Sequence, residues 1–237
     1  MTTAFAAVDG RDAETINVVL SHLVGPLQAT SPQPTEVVLH DLRRIPNTVR
    51  AIAGDVTGRK PGDPPTDKLL QRIAAGQWHN EIGYHSLLPD GRTLRCTTIV
   101  FTDNHDQPAA ALCINTDISS WLGLRSSIEQ FIWGAPAQEL GLRPDGATPE
   151  GAVGGMSNER FPRSVEELSA HLIDTAIASI GLAVDDMRRE HKIDVVAELE
   201  RQGFFLVKQA AETAATALNV TRFTIYNYLN EIHDSGT

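Results

Sequence analysis

Glycine and proline crowd together between residues 134 and 162 (Gly134, Pro136, Gly141, Pro144, Gly146, Pro149, Gly151, Gly154, Gly155, Pro162), and apolar periodicity disappears there. Glycine does not hold a backbone in register and proline cannot donate to a helix or a ladder, so this stretch cannot be the interior of an element. It reads as a linker over residues 134–163. The 237 residues thus divide into a front unit over 13–130 and a back unit over 164–237, each long enough to bury a core. The two halves carry different patterns. Strands and helices mix in front and only helical spacing follows behind, which predicts an α+β sheet domain and then an all-α domain.

In the front unit Ile16, Val19, Leu20, Leu23 and Leu27 recur at helical spacing, and Gly25-Pro26 is expected to stop that helix. Residues 36–42 and 49–53 are short β-branched runs separated by Pro46-Asn47, which predicts a hairpin. A Gly, Pro and Asp-rich loop covers 54–65, and Thr66 or Asp67 can cap a helix reaching about residue 75. Three further strands are expected over 83–88, 95–102 and 109–117, with turns at Pro89-Asp90-Gly91 and between Asp103 and Pro108.

Behind the linker Val165, Leu168, Leu172, Ala176 and Ile180 make one apolar stripe that Gly181 ends. That stripe is expected to help pair two copies of the chain. A second helix should start near Asp185 and run through Ile193, Val196 and Leu199 to Gly203. The last segment is the most specific. Residues 208–218 predict a helix, Asn219-Val220-Thr221 a turn, and 222–232 a second helix. Ala215 is small enough for two helices to cross closely, Asn219 tolerates a left-handed turn, and Thr221 is a good N-cap.

On the second helix Val220, Ile225, Leu229 and Ile232 form the buried side, while Arg222, Phe223, Tyr226, Asn227 and Asn230 share the outer one. With Thr221 and Thr224 at its start, that outer face suits a DNA groove. An arginine can pair with guanine or phosphate, an asparagine can bridge an adenine edge, and a phenyl ring can touch a thymine methyl. A helical hairpin that merely packs needs none of this combination.

The formal net charge is -10, so the chain cannot coat nucleic acid or an anionic membrane by bulk electrostatics. Over residues 185–237 nine acids stand against six bases, which makes a homodimer almost a requirement for tight operator binding. No apolar run reaches the roughly 18 residues that span a bilayer, and the first residues lack a secretory pattern, which predicts a cytoplasmic protein. Two cysteines make no disulfide framework. The eight histidines show no short ligand spacing, and neither Gly-x-Ser-x-Gly nor Cys-x-x-Cys occurs. No catalytic residue, metal or cofactor is therefore expected, and the chain is not read as an enzyme.

Alternation along a strand puts Cys96, Thr98 and Val100 on one face, joined by Ala111, Cys113 and Asn115 if the hairpin turns near His105-Asp106. The reverse face, with Leu112 and Ile114, is apolar. The mixed face suits a small-molecule pocket, and Thr98, Cys113 and Asn115, with His40, Asp41 and Tyr84, are the candidate ligand residues. An Asp beside an Asn could hold an ammonium group, as in an amino-acid-like effector. The loop around Gly58-Arg59-Lys60 lacks the order of a phosphate-binding P-loop and reads as structural.

Four pieces of the sequence are similar to the YheO-like regulators. They are His40-Asp41, Ala51-Ile-Ala-Gly-Asp-Val-Thr-Gly-Arg-Lys-Pro-Gly-Asp63 with Pro65-Thr66-Asp67, Ala111-Leu-Cys-Ile-Asn-Thr-Asp117, and Leu218-Asn-Val-Thr-Arg-Phe-Thr-Ile-Tyr-Asn-Tyr-Leu229. The resemblance covers roughly residues 13–130 and 164–233. It departs from the pattern at Asn219, where a glycine is usual, at Phe223, where a small residue is usual, and at Asn227, where an arginine is usual. The resemblance implies a PAS-like antiparallel sheet, a small-molecule effector, and a helix-turn-helix that regulates metabolic genes, with repression as the expected sign. The rival expectation is a metabolite-binding protein or small enzyme whose C-terminal helices only mediate oligomerisation.

Overall fold

Period-two alternation in the front unit yields one antiparallel sheet, whose register decides which residues meet. The computed structural model describes residues 12–133 and 159–235. Strands β1 (Thr35–Asp41), β2 (Val49–Ala53), β3 (Glu81–Leu87), β4 (Thr93–Thr102) and β5 (Pro108–Asp117) lie in the order β2-β1-β5-β4-β3. The expected meander is β3-β4-β5, and the expected hairpin β1-β2 joins it by pairing β1 with β5.

Helix α1 (Ala13–Thr30) covers one face, burying Leu20 and Val24 against Val37, Leu39, Ala110 and Leu112. It runs through Gly25-Pro26 instead of stopping there. Proline removes one helical hydrogen bond, but the turn beyond it is tied down locally. The Ser31 hydroxyl donates to the Leu27 carbonyl at 2.7 Å, and Gln28 reaches the Thr35 carbonyl at 3.3 Å. Helix α2 (Asp67–Ala74) is capped by Thr66, whose hydroxyl accepts from the Leu69 amide at 3.1 Å. Helix α3 (Ser119–Trp133) was not expected, because Gly123 and four serines dilute its apolar signal. Trp121, Leu124, Ile128, Phe131 and Ile132 on it are exposed, Phe131 to 91%.

The back unit is all helix: α4 (Val165–Ile180), α5 (Arg189–Arg201), α6 (Ala210–Ala217) and α7 (Arg222–Ser235). Leu168, Leu172 and Ala176 of α4 pack with Val195, Val196, Leu199, Phe204, Ala214, Leu218 and Ile225 in one core. The α4 stripe that the sequence offered to a second copy is therefore spent inside its own domain. Gly181 ends α4 at φ 71, as its position predicts. Asp185 does not cap α5; it sits in a short 3-10 turn (Val184–Asp186) and accepts from the Asn219 side chain at 3.0 Å.

The two units touch through α2. Leu70 is fully buried in the helical core, and Gly203, at φ +79, lies so close to α2 that a Cβ there would come within 2.9 Å of the Leu70 carbonyl and the Ala74 methyl. His171 of α4 sits 3.4 Å from Asp67. Of the linker, residues 134–158 lie outside the described residues. Residues 159–163 are seated on the front unit, with Phe161 against the cluster of Val56, Tyr84, Leu88, Leu94 and Cys96.

Candidate nucleic-acid interface and sensor face

Helix α6, the turn after it and α7 carry the expected outer face. Asn219 turns the chain at φ 51, a conformation asparagine tolerates, and Lys192 donates to the Leu218 carbonyl at 2.8 Å, holding the turn against α5. The Thr221 hydroxyl then accepts from the Thr224 amide at 3.1 Å and starts α7. Ile225 and Tyr228 are buried, and Val220, Leu229 and Ile232 are half-buried. The sequence reading missed Tyr228, whose ring lies under the Arg189 guanidinium at 5.5 Å.

Thr221, Arg222, Phe223, Tyr226, Asn227 and Asn230 are all exposed, and Thr224 is half-buried beside them. Phe223 is 73% exposed, unusual for a phenyl ring with a core within reach. Arg222 lies 2.8 Å from Glu212 of α6 and donates to the Tyr226 hydroxyl at 3.2 Å. Both partners of that ion pair are exposed, so it holds the arginine only lightly.

The polar face of the sheet is the second feature. Register pairs Cys96 with Asn115, Thr98 with Cys113, Glu36 with Asn115 and Tyr84 with Cys96, so these side chains share one side. His40 pairs with Ala111 on that same side. The Thr98 hydroxyl contacts the Tyr84 hydroxyl at 3.2 Å and the Cys113 thiol at 3.6 Å. His40, Tyr84, Thr98, Cys113 and Asn115 are thus brought together, all buried. Asp41 is not. The residue next to His40 on a strand points to the opposite face, where its carboxylate is 2.8 Å from Arg43 and 3.4 Å from Arg50.

Residues that the sequence reading left out complete this side. Glu36 is fully buried and accepts from the Val56 and Thr57 amides at 3.1 and 3.0 Å and from the Thr57 hydroxyl at 2.8 Å. Buried Arg59 lies 3.5 Å from Glu36, donates to the Thr57 hydroxyl at 3.0 Å and stacks over Phe161 at 5.2 Å. The legible signals were an acid inside an apolar strand and an arginine in the loop read as structural. His40 Nε2, Arg59 Nη1 and Arg72 Nε are buried without a hydrogen-bond partner among the described residues. Burial and the Arg59 charge hold the His40 pKa well below its ordinary value, so the ring is neutral. Burial pushes the Cys113 thiol up to about 11, so it is a neutral group and no nucleophile. Among the described residues no group of three or more His, Cys, Asp and Glu side chains could hold a metal, and no helix is long and apolar enough to cross a membrane.

Residues 12–133 match the family model of the YheO-like PAS domain, and residues 168–230 match a model of a helix-turn-helix domain. The transcriptional regulator DauR of Pseudomonas aeruginosa is 30% identical to the chain over 85% of its length and 87% of DauR's. The uncharacterised protein YheO of Escherichia coli is 25% identical over 83% of this chain and 76% of that protein. An uncharacterised protein of Haemophilus influenzae is 26% identical over 83% of this chain and 82% of that one.

Proposed function

The chain belongs to the family of YheO-like PAS proteins and carries a helix-turn-helix domain, and from that premise we propose that it is a transcriptional repressor that binds operator DNA as a homodimer under the control of a small polar metabolite such as an amino acid. It works in the cytoplasm and is not an enzyme. The observation that carries this reading is the outer face of α7. Arg222, Phe223, Tyr226, Asn227 and Asn230 stay in solvent, while Ile225 and Tyr228 on the same helix are buried.

Two copies place two such helices about 34 Å apart, one turn of B-DNA, and double a positive surface that is too small in one. The exposed apolar stripe of α3 supports self-association better than the occupied stripe of α4. On the sensor side His40, Tyr84, Thr98, Cys113 and Asn115 orient the effector, with Arg59 supplying Nη1, a donor that has no partner among the described residues. An effector can bias DNA binding only by contacts that differ between the two states of the chain.

The test is fluorescence anisotropy of the full chain with DNA from upstream of its own gene, across a salt series. Wild type should bind with a strong salt dependence, and Arg222→Ala should lose about tenfold or more. Equal binding by the two proteins removes α7 as the reader.

A further inference from the structure

A carboxylate from the chain itself is buried where the front and back units meet. Glu159 is only 5% exposed, and its Oε2 accepts from the Ser86 hydroxyl of β3 at 3.0 Å. Burial raises the Glu159 pKa above its ordinary value, and the nearby Thr66 hydroxyl and Lys68 ammonium oppose that rise. Lys68 is held there by Glu81 at 2.7 Å and by the Tyr84 ring at 3.5 Å. Acids are almost never buried this deeply without a dedicated set of partners.

The segment that delivers this carboxylate is the direct lead into the helix-turn-helix domain. After Glu159 the Arg160 amide donates to Asp67 at 2.8 Å, Phe161 covers Arg59 and the cluster around Cys96, and Ser164 caps α4. Solvent reaches Glu159 through a cavity of about 270 Å³ between the units, lined by Lys68 and Gln71 of α2, His171 of α4, and Arg201 and Gln202 at the end of α5. Lys68 and Arg201 bring positive charge to that lining, and Asp67 brings a carboxylate. Gln202 Oε1 is buried there without a hydrogen-bond partner among the described residues.

We propose that Ser86, Thr66 and Lys68 form a carboxylate-binding subsite of the sensor, that Glu159 fills it in the unliganded chain, and that the carboxylate of an effector displaces Glu159 and unseats residues 159–163 from the front unit. Seating of the strap and binding of the effector carboxylate then exclude each other, and α4 is freed at its N-terminus when the strap leaves. The consequence for DNA rests on the regulator reading above; the subsite itself does not.

The experiment uses the full chain with Glu159→Ala. Cys96 is fully buried in the cluster that Phe161 packs against, and Cys113 is buried nearby, so reaction with a thiol reagent such as DTNB reports an unseated strap. Labelling should be at least about tenfold faster than in wild type, since the opening free energy falls when an anchoring contact goes. The vacated subsite should also take acetate. About 100 mM sodium acetate should raise the Tm of Glu159→Ala by roughly 2–4 °C, acetamide and sodium chloride at the same concentration should not, and Ser86→Ala in the same chain should abolish the rise. Labelling at the wild-type rate, or acetate acting no differently from chloride, overturns the proposal. Should Glu159→Ala fail to fold, Ser86→Ala gives the labelling comparison by removing the hydroxyl that holds the carboxylate. DNA affinity separates the two claims. Fast labelling in chains that never bind DNA keeps the subsite and sinks the regulator; DNA binding with unchanged labelling does the reverse.

Discussion

His40 shows how one buried side chain ties the sensor face to pH. Its Nδ1 lies 2.8 Å from the Thr48 hydroxyl, the ring is fully buried, and burial with the nearby Arg59 charge keeps its pKa well below 6.5. The unfolded chain takes up a proton near pH 6.5 and the native chain does not, so this residue's contribution is intact above that pH and is lost as pH falls below it. The slope approaches about 1.4 kcal/mol per pH unit. Urea midpoints at pH 7.5 and 5.5 check this: the wild-type loss between them should exceed that of His40→Gln, and identical losses contradict it. The neighbouring Asp41 shows that adjacency in the chain does not place two side chains in one site. His40 and Asp41 are adjacent in the motif, yet strand alternation sends one to the sensor face and the other to Arg43 and Arg50. Glu36 and Arg59 escaped notice because a buried ion pair is recognisable only once the 54–65 loop is known to fold back over β1.

Elements were legible where local chemistry decides them. Helix α4 begins at its Ser164 cap and ends at Gly181, and the α6-turn-α7 unit follows from Ala215, Asn219 and Thr221. They were illegible where packing or tethering decides. Gly25-Pro26 looks like a stop, but side-chain bonds beyond it carry α1 to Thr30. Helix α3 leaves its apolar stripe in solvent, so no core-facing pattern marked it. Nor does any local signal say that α2 contributes Leu70 to the helical core, because that contact spans the linker. Gly203 is the tight point of this contact. Gly203→Ala introduces a Cβ within 2.9 Å of α2 at a positive φ, which should cost about 2 kcal/mol. Thermal unfolding of the variant should fall by several degrees, and retention of the wild-type Tm would mean that α2 can move away freely.

At the scale of the molecule three surfaces are joined. A polar sheet face is closed by residues 159–163, α2 couples that face to the helical core, and α7 turns an arginine, two aromatic rings and two asparagines outward. The excess of acids over bases in the back unit means that one copy has too little positive surface to hold DNA at moderate salt. Because both native cysteines are buried, a single thiol placed on α7 reports directly whether that helix enters the groove. Asn230→Cys, carrying an iron chelate on α7, should cleave bound DNA at two major-groove positions about one helical turn apart, related by a two-fold axis. Cleavage at a single position, scattered cleavage, or none under conditions where the chain binds DNA rules out paired α7 helices as the readers.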